Sequence, residues 1–410
     1  DGLVVRMNDN GDTLWTFVYN GPSSKEDCFY KVVPTSDGGF IICGYSRSFG
    51  SGDNAIYAKL NSNGQLQWIK NWGGSGIERA QDIIQLSDGK FVLCGYTTSA
   101  PAHYYDAFIM KIDQSGNTLW NKIYGGTAYD DANSLKVLAD DGFIMGGQSN
   151  NQLYLVRTDS NGDSLWTKAW GTAGIENIEC VNFAQGGDGY ILAGTTDGAG
   201  AGGEDGYLVK TDTGGVQIWA NTYGGSLNDG FHRVEQTSDG GYVGSGTSSM
   251  GPWVNPNIWL VKFDVNGNKS WENFFGGNSH DHGYSGQQTS DGGYIMVGHT
   301  HSFRSNSNNE DAYVVKTNSS GQVINELSWT TVTQLMTPLA ATCGVANAEI
   351  KVEVANYGIQ TISSIPVTIE ITGAITQTLN QTLVTSVAPG ALKTLIFTTT
   401  IDMSAGGTFN

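Results

Sequence analysis

Histidines are concentrated in one short part of this sequence. Four of the six lie in two segments, His280-Asp281-His282 and His299-Thr300-His301. Imidazole nitrogens and carboxylate oxygens are common ligands of transition metals such as zinc. The sequence therefore offers one candidate metal site, formed by His280, His282, His299 and His301 with Asp281 beside them. Solvated loop histidines that bind no metal are the alternative.

An acidic segment, DSNGDSLW, resembles the first positions of a calcium-binding loop. Its oxygen-bearing side chains alternate along the chain, at Asp159, Asn161 and Asp163. An EF-hand loop also needs glycine at its sixth position and glutamate at its twelfth, but here Gly162 is fourth and Trp170 is twelfth. The segment fits a tight turn instead, because Asn and Gly tolerate positive φ and Asp can bond its own backbone.

Residues for covalent or acid–base catalysis do not form a recognisable set. Ser, His and Asp are present, but no nucleophile elbow, H-E-x-x-H segment or unique pair of acids stands out. The sequence therefore assigns no catalytic residue and predicts a protein that is not an enzyme. A glycan-active enzyme is kept as a lesser alternative.

The Asp-x-Asn-Gly turn recurs through most of the chain. The copies are MNDNGDTLW, LNSNGQLQW, IDQSGNTLW, TDSNGDSLW, TDTGGVQIW, FDVNGNKSW and TNSSGQVIN. Their glycines are Gly11, Gly64, Gly116, Gly162, Gly215, Gly267 and Gly321. Six copies have tryptophan four residues later, at Trp15, Trp68, Trp120, Trp166, Trp219 and Trp271. Such a repeat indicates a scaffold built from similar units.

Each unit reads as four short strands. A second turn, Asp-Gly-Gly or a variant of it, precedes an aromatic residue at Phe40, Phe91, Phe143, Tyr190, Tyr242 and Tyr294. Four antiparallel strands repeated around a ring are typical of a β-propeller. Six units have the first two strands and seven have the last two. We therefore predict an all-β fold with seven four-stranded blades, the inner strands of one lying upstream of residue 1; six blades with a separate hairpin are the alternative.

Two charged positions also repeat. A basic residue precedes every Asp-x-x-Gly turn, at Arg6, Lys59, Lys111, Arg157, Lys210, Lys262 and Lys316. An acid begins each first strand, at Asp27, Glu78, Asp130, Glu176, Asp229 and Asp281. A residue found in every unit serves the scaffold more often than a single site, so both positions are interpreted as structural.

The charge and composition of the chain limit the classes of partner that it can bind. The chain of 410 residues has a net charge of -18 at pH 7, 57 glycines and five cysteines without metal-ligand spacing. A strong negative charge opposes binding to nucleic acid or to an anionic membrane surface. No apolar run reaches transmembrane length, so no direct membrane insertion is predicted. The cysteines are interpreted as small buried hydrophobic residues.

The composition changes after the last repeat. We predict a propeller at 1–328, a linker at 329–345 and an incomplete immunoglobulin-like β-sandwich at 346–410. In the last segment, AEIKVEVAN, SSIPVTIEIT and ALKTLIFTTTI alternate apolar and polar residues with the period of a strand.

Several motifs in fixed order carry a family resemblance. They are DGGY, K-x-D-x-x-G-x-x-x-W and an aromatic residue followed by two glycines, as in Trp72-Gly73-Gly74. Together they resemble the propeller repeats of large secreted surface proteins from Bacteroidota, and the C-terminal segment resembles the adhesion-type immunoglobulin-like modules that follow such propellers. The resemblance implies an extracellular or cell-surface location, export by the type IX secretion route and further domains of the same chain.

The connections on one face of the predicted ring vary while those on the other repeat. Variable loops on a rigid scaffold are typical of a binding surface. Aromatic residues outside the repeat pattern lie in or beside these loops, at Tyr45, Tyr96, Tyr104, Tyr105, Trp253 and Phe303. We predict an adhesion or binding module whose partner is a polysaccharide or a surface protein. Packing of these rings over neighbouring blades, in a passive structural spacer, is the alternative.

Overall fold

The computed structural model describes most of the chain. The described residues are 1–9, 11–23, 25–50, 52–99, 104–171, 174–252, 255–303, 310–323, 330–337, 348–356, 361–371, 376–383, 386–388 and 391–400. The chain divides into two compact units, Asp1–Ser302 with Glu310–Val315 and Phe303–Asn309 with Lys316–Asn410. The predicted boundaries at 328 and 345 stay predictions.

The first unit begins with two paired strands, β1 (Gly2–Met7) and β2 (Thr13–Tyr19). Blade 1 contains β3 (Asp27–Pro34), β4 (Phe40–Ser46), β5 (Asn54–Leu60) and β6 (Leu66–Trp72). Blade 2 contains β7 (Glu78–Gln85), β8 (Phe91–Thr97), β9 (Asp106–Ile112) and β10 (Thr118–Tyr124). Blade 3 contains β11 (Ser134–Val137), β12 (Phe143–Ser149), β13 (Gln152–Thr158) and β14 (Ser164–Trp170).

The remaining blades follow the same plan. Blade 4 contains β15 (Glu176–Phe183), a 3-10 helix (Gln185–Gly187), β16 (Gly189–Thr196), β17 (Asp205–Asp212) and β18 (Gln217–Tyr223). Blade 5 contains β19 (Asp229–Gln236), β20 (Tyr242–Ser248), β21 (Asn257–Phe263) and β22 (Lys269–Phe275). Blade 6 contains β23 (Asp281–Gln288), β24 (Tyr294–Thr300) and β25 (Asp311–Thr317).

The prediction of seven blades is wrong, because the part of the chain that the structure describes forms six. The fold is an all-β propeller whose first five blades are antiparallel sheets of four strands in chain order. The β1–β2 pair is a separate sheet that packs on blade 1 through Val4, which joins a cluster with Ile42, Ala58 and Leu60. The first-strand motif occurs six times and the last-strand motif seven times, and the number of blades follows the first-strand motif.

The first strand of each blade lies innermost. Each first strand contacts the first strand of the next blade, from β3 and β7 through to β19 and β23. Third strands such as β5 and β21 are buried along their whole length, while the fourth strand β10 exposes alternate residues. Burial is therefore greatest in the third strands, while innermost strands such as β3 and β23 keep partly exposed side chains near the axis.

The repeated tryptophan packs between units. At the blade 3 turn, Gly162 has a φ of 78°, and a Cβ there would lie 2.7 Å from the Trp120 ring of blade 2. Glycine meets both demands, since it lacks the Cβ and adopts positive φ readily. Trp68 shows the same arrangement by donating from its indole nitrogen to the Gln114 carbonyl, 3.1 Å away in the next unit. The interpretation of these residues as packing elements is confirmed.

The Asp-x-Asn-Gly segment forms a turn. Asp159 Oδ1 accepts hydrogen bonds from the backbone nitrogens of Asn161 and Asp163, at 2.8 and 2.9 Å. The side chain that suggested a calcium ligand is therefore occupied by its own backbone, as in an Asx turn.

The repeated charges also stabilise the scaffold. Basic residues of the third strands pair with the aspartate of the Asp-Gly turn in the same blade: Lys59 with Asp37, Arg157 with Asp140, Lys210 with Asp188 and Lys262 with Asp239. The first-strand acids accept from glycine nitrogens that precede them: Asp27 from Gly21, Glu78 from Gly74, Asp130 from Gly126, Asp229 from Gly225 and Asp281 from Gly277. Both positions therefore have the structural role that their repetition predicts.

Three of the four cysteines among the described residues follow the interpretation as small buried hydrophobic side chains, while Cys28 is partly buried. Cys43, Cys94 and Cys180 are buried, and burial raises the pKa of the Cys43 and Cys94 thiols well above their ordinary value. Cys343 lies outside the described residues. In the same part of the chain, no helix is long and apolar enough to cross a membrane.

The second unit contributes five further strands. They are β26 (Thr330–Thr337), β27 (Lys351–Asn356), β28 (Ile365–Ile371), β29 (Gln377–Leu383) and β30 (Leu392–Ile396). The sheet order is β26-β27-β30 in one sheet and β28-β29 in another. An apolar cluster that includes Ile350, Val354 and Phe397 packs within this unit. The described strands do not make the predicted immunoglobulin-like module evident.

Candidate functional site

A β-bulge occurs at the same place in the innermost strand of five blades. The strand pairing skips one residue, three positions after the structural acid, at Tyr30, Gln81, Glu179, His232 and Tyr284. In blade 3 the corresponding residue is Asn133, just before β11. A bulge frees a side chain from the alternation of the strand, and bulges are common beside functional sites. We call these six residues the central ring.

The innermost strands contact one another from blade to blade through polar side chains. The contacts are Arg79 Nη1 to the Tyr30 hydroxyl at 3.1 Å, Asn133 Nδ2 to Asn177 Oδ1 at 3.2 Å, Asn182 Nδ2 to Glu235 Oε2 at 2.6 Å, and the rings of His232 and Tyr284 at 5.7 Å between centroids. The charges of Arg233 in blade 5 and Asp82 in blade 2 also influence each other. These side chains therefore make the axis polar.

Two members of the central ring are well exposed. Tyr30 is 40% exposed and Tyr284 is 53% exposed, although both belong to innermost strands. The Tyr284 hydroxyl lies 3.1 Å from His299 Nδ1, and burial of part of the ring raises the pKa of both tyrosines. Each residue thus presents a neutral aromatic face to solvent near the axis.

Tyr45 and Tyr96, two of the aromatics predicted to bind a ligand, are buried. Tyr45 is 5% exposed and donates its hydroxyl hydrogen to Glu26 Oε1 at 2.5 Å. Tyr96 is 8% exposed, and burial raises its pKa to about 12. Their faces are covered by neighbouring side chains, so they support the surface from below.

Tyr104 and Tyr105 extend the aromatic cluster outward. Tyr105 lies between three rings, with centroid distances of 5.3 Å to Tyr96, 5.5 Å to Tyr104 and 4.9 Å to Tyr129. Tyr104 is 57% exposed. The structure therefore brings Tyr96, Tyr104 and Tyr105 together, with one ring accessible at the edge.

The remaining predicted aromatics are not part of this cluster. Trp253 lies outside the described residues. Phe303 is partly buried and belongs to the second compact unit, whereas the tyrosines belong to the first. The predicted ligand-binding role of these two residues stays a prediction.

Arg79 connects the aromatic residues of blades 1 and 2. Its guanidinium donates to Asp53 Oδ2 from Nε at 2.8 Å and from Nη2 at 2.5 Å. Asp53 is 5% exposed and also accepts from Arg47 Nε at 2.8 Å. A buried carboxylate between two guanidinium groups fixes the position of Arg79 and, through it, that of the Tyr30 hydroxyl.

Two carboxyl groups near the axis have raised pKa values. Burial raises the pKa of Asp131 to about 7, although the backbone nitrogen of Gln148 donates to it at 2.7 Å. Burial also raises the pKa of Glu179, whose Oε1 accepts from Asn177 Nδ2 at 2.5 Å. The negative charge of Glu179 further disfavours ionisation of Asp131. Glu179 is only partly buried by its neighbours.

All four predicted metal-binding histidines lie close together in blade 6. The centroid distances are 4.8 Å for His282 and His299, 5.7 Å for His299 and His301, and 6.5 Å for His280 and His301. Burial lowers the pKa of His282 and His299, and the neighbouring imidazoles add to this effect. The strand pairing causes the grouping, because His282 and His299 are direct partners in β23 and β24.

Glu310 completes this cluster. Its Oε1 lies 3.1 Å from His301 Nε2 and its Oε2 lies 3.8 Å from His299 Nδ1. Asp281, the acid suggested by the sequence, instead accepts from the nitrogen of Gly277 and from the Ser302 hydroxyl. The carboxylate nearest the histidines therefore follows the variable loop, and the sequence motif did not include it.

Sequence reasoning missed the central ring. The residues after each first-strand acid differ between blades, as in Asp27-Cys28-Phe29-Tyr30 and Asp229-Gly230-Phe231-His232. Aligned on that acid, the first strands vary at their other positions too, as DCFYKVVP and ERAQDIIQ show, so sequence does not distinguish the bulge residue.

Fold and site together define an all-β propeller protein with a polar, partly aromatic axis. No protein-family model and no curated protein matches the sequence. Among solved structures, it is similar to Sqt1 of Chaetomium thermophilum bound to the N-terminus of ribosomal protein L10, with a TM-score of 0.45, 14% identity, and coverage of 72% of this chain and 75% of that one.

Two further solved structures are similar at comparable levels. A protein from Lactobacillus plantarum gives a TM-score of 0.39, 12% identity, and coverage of 87% of this chain and 98% of that one. A puromycin hydrolase mutant gives a TM-score of 0.43, 13% identity, and coverage of 79% of this chain and 50% of that one. None of these similarities assigns a ligand or a reaction to this chain.

Proposed function

We propose that the protein is a binding module whose central ring recognises a neutral carbohydrate. The observation that carries the proposal is the central ring itself: two exposed tyrosines, Tyr30 and Tyr284, share one strand position with four polar residues on the other blades. A repeat scaffold whose innermost strands differ in sequence concentrates chemical diversity around its axis.

The chemistry of the ring suits sugars. A tyrosine face packs against the apolar C–H face of a pyranose, while carboxylate, amide and imidazole groups bond its hydroxyls. Glu179, Asn133 and His232 supply such groups. The net charge of -18 disfavours polyanionic ligands, so a neutral sugar fits better than a sulfated or phosphorylated one.

The aromatic cluster of blades 2 and 3 supports an extended ligand. Tyr104 is exposed beside Tyr105 in the loop between β8 and β9 of blade 2, the blade that supplies Gln81 to the ring. A polysaccharide chain can contact the ring with one residue and Tyr104 with another. The buried Tyr45 and Tyr96 then act as supports for Arg79 and Tyr105.

We further propose an extracellular or cell-surface location. The support is the resemblance of the repeats to those of secreted surface proteins from Bacteroidota, together with the proposed carbohydrate ligand. Type IX export, an immunoglobulin-like continuation and adhesion to a glycan or surface protein belong to the same proposal. A passive spacer is the competing role, and it requires no ligand at the central ring.

A glycan-active enzyme is the second candidate, favoured by one observation. Glycosidases use two carboxyl groups, one of them protonated near neutral pH. Asp131, with a pKa near 7, and Glu179 are two such groups close to the axis. Hydrolysis of neutral oligosaccharides that is abolished in Glu179→Gln would favour this candidate over simple binding.

The test is a screen of neutral glycans followed by calorimetry on the hits. Tyr30→Ala combined with Tyr284→Ala should weaken binding at least about tenfold, since loss of one stacked ring costs on the order of 1 kcal/mol. Phe183→Ala is the matched control, because Phe183 is 37% exposed but lies at the opposite end of an innermost strand.

Circular dichroism should show that all three substitutions leave the fold intact. Absence of binding to every glycan at millimolar concentration would favour the spacer. Equal loss in Phe183→Ala and in the double variant would place the ligand elsewhere.

A further inference from the structure

We propose that His299, His301 and Glu310 form a site for a divalent transition metal ion, of which Zn²⁺ is the best match. One ligand atom from each residue lies within 4.8 Å of the others. Two imidazole nitrogens and one carboxylate are a set that zinc accepts in proteins, with remaining positions open to water or a ligand. This site goes beyond the carbohydrate proposal and stands without it.

The strand geometry brings the two histidines together. His299 lies in β24 and His301 directly follows that strand, with Thr300 between them. Alternate residues of an extended chain point to the same side. Thr300 is buried, and its hydroxyl donates to Asp281, so the histidines point the other way. The pair is therefore positioned by the backbone and by a buried hydrogen bond.

The ligand atoms lie near the spacing that a metal requires, within 4.8 Å of one another. Tetrahedral zinc with bonds of about 2.0–2.1 Å places neighbouring ligand atoms about 3.3 Å apart. Glu310 oxygens lie 3.1 Å from His301 Nε2 and 3.8 Å from His299 Nδ1. The Glu310 side chain is 57% exposed, so it is free to rotate and bring one oxygen closer to both imidazoles when an ion binds.

The other two histidines of the sequence prediction have different positions. His280 is exposed, and its ring centroid is 6.5 Å from that of His301. His282 lies against His299, and its Nδ1 is 3.5 Å from the Thr247 hydroxyl. The proposed ligand set therefore contains Glu310 and omits His280 and His282. His282 instead serves to position the His299 ring.

Tyr284 provides a test that distinguishes metal binding from a purely hydrogen-bonded cluster. Its hydroxyl is 3.1 Å from His299 Nδ1, the nitrogen that faces Glu310. Metal binding has to replace this contact. Tyr284→Phe should therefore bind the metal at least as tightly as the unaltered protein, because a competing hydrogen bond is removed.

The experiment uses the full chain after treatment with a chelator. Titration with Co²⁺ should produce visible d–d absorption that saturates at one ion per chain, and calorimetry with Zn²⁺ should give the same stoichiometry. His301→Ala and Glu310→Gln should each weaken Zn²⁺ binding by at least about tenfold. His280→Ala and His232→Ala are the controls and should retain the affinity of the unaltered protein.

Three results would overturn the assignment. They are the absence of saturable Zn²⁺ binding, unchanged affinity in both His301→Ala and Glu310→Gln, and equal loss in His280→Ala. Thermal unfolding of each metal-free variant shows whether the fold is retained. Glu310 is exposed and outside any strand, so Glu310→Gln keeps the test valid even where His301→Ala unfolds.

Discussion

The guanidinium of Arg79 stacks over the ring of Tyr45, with Cζ 4.0 Å from the ring centroid. The contact joins the innermost strand of blade 2 to the second strand of blade 1. A cation over an aromatic face contributes about 0.5–2 kcal/mol, the larger value where the pair is desolvated. Asp53 accepts two hydrogen bonds from the same guanidinium. Arg79 therefore makes both the aromatic contact between the blades and the ion pair with Asp53.

Arg79→Met should destabilise the propeller by about 2–4 kcal/mol, since it removes a partner of the buried Asp53 carboxylate. Arg47 also bonds Asp53, but its side chain is 45% exposed. Arg47→Met should therefore cost under about 1 kcal/mol. Urea unfolding of both variants measures the difference, and equal losses would mean that the two arginines share the carboxylate equally.

Glu78→Gln should test the acid that begins each first strand. Glu78 is fully buried, and its oxygens accept from the Gly74 nitrogen at 2.8 Å and from the Thr97 hydroxyl at 2.9 Å. The amide NH₂ of glutamine would face one of these donors, which costs about 1–3 kcal/mol. Thermal or urea unfolding measures the loss.

Glu204→Gln is the matched control for this substitution. Glu204 is exposed in a loop of blade 4, so its replacement should change the free energy of unfolding by less than about 0.5 kcal/mol. Full stability of Glu78→Gln would show that the carboxylate charge is not needed at this position.

The scaffold was the part of the molecule that sequence could predict. Turn glycines, tryptophans and paired charges such as Lys59 with Asp37 depend on contacts within a unit or with the next one, and most units repeat them. The blade count was missed because the β1–β2 pair has the outer-strand motif without forming a blade. A local motif marks strands, whereas the number of complete sheets depends on how they pair.

The candidate site was less predictable because it depends on register and on neighbouring blades. Nothing local distinguishes the bulge residue Glu179 from its neighbours, since a bulge is defined by hydrogen bonds to another strand. Tyr45 was predicted as an exposed ligand-binding ring, but Arg79 of the following unit covers it. The histidine grouping could be predicted, because the two strands that carry it are consecutive in the chain.

Asp131 should make the stability of the propeller depend on pH. Its pKa is raised to about 7 in the folded state, above its ordinary value of 3.8, so folding favours the protonated form. The stabilising contribution is complete below about pH 4 and is lost as the pH rises to about 7, with a slope of at most about 1.4 kcal/mol per pH unit. Urea unfolding at intervals from pH 4.5 to 8 measures this.

Asp131→Asn isolates the effect, because the amide stays neutral and its oxygen can still accept from the Gln148 nitrogen. The stability of this variant relative to the unaltered protein should increase steadily between pH 4.5 and 7.5. Asp239, whose pKa the Thr237 hydroxyl lowers to about 2, acts in the opposite direction, but its contribution is lost only below about pH 4. A difference between the two proteins that does not change with pH would contradict a raised pKa for Asp131.

Glu179→Gln should lower the pKa of Asp131. The Glu179 carboxylate adds repulsion to the burial that raises this pKa, so neutralising it removes the smaller of the two causes. The pKa of Asp131 should then fall but remain above its ordinary value, because burial persists. Carbon-13 NMR of the aspartate carboxyl carbons, titrated in both proteins with Asp131→Asn for assignment, measures the shift. An unchanged Asp131 titration would mean that solvent at the axis screens the two carboxyl groups from each other. The axis would then contain water, and a sugar could bind there without displacing a buried charge.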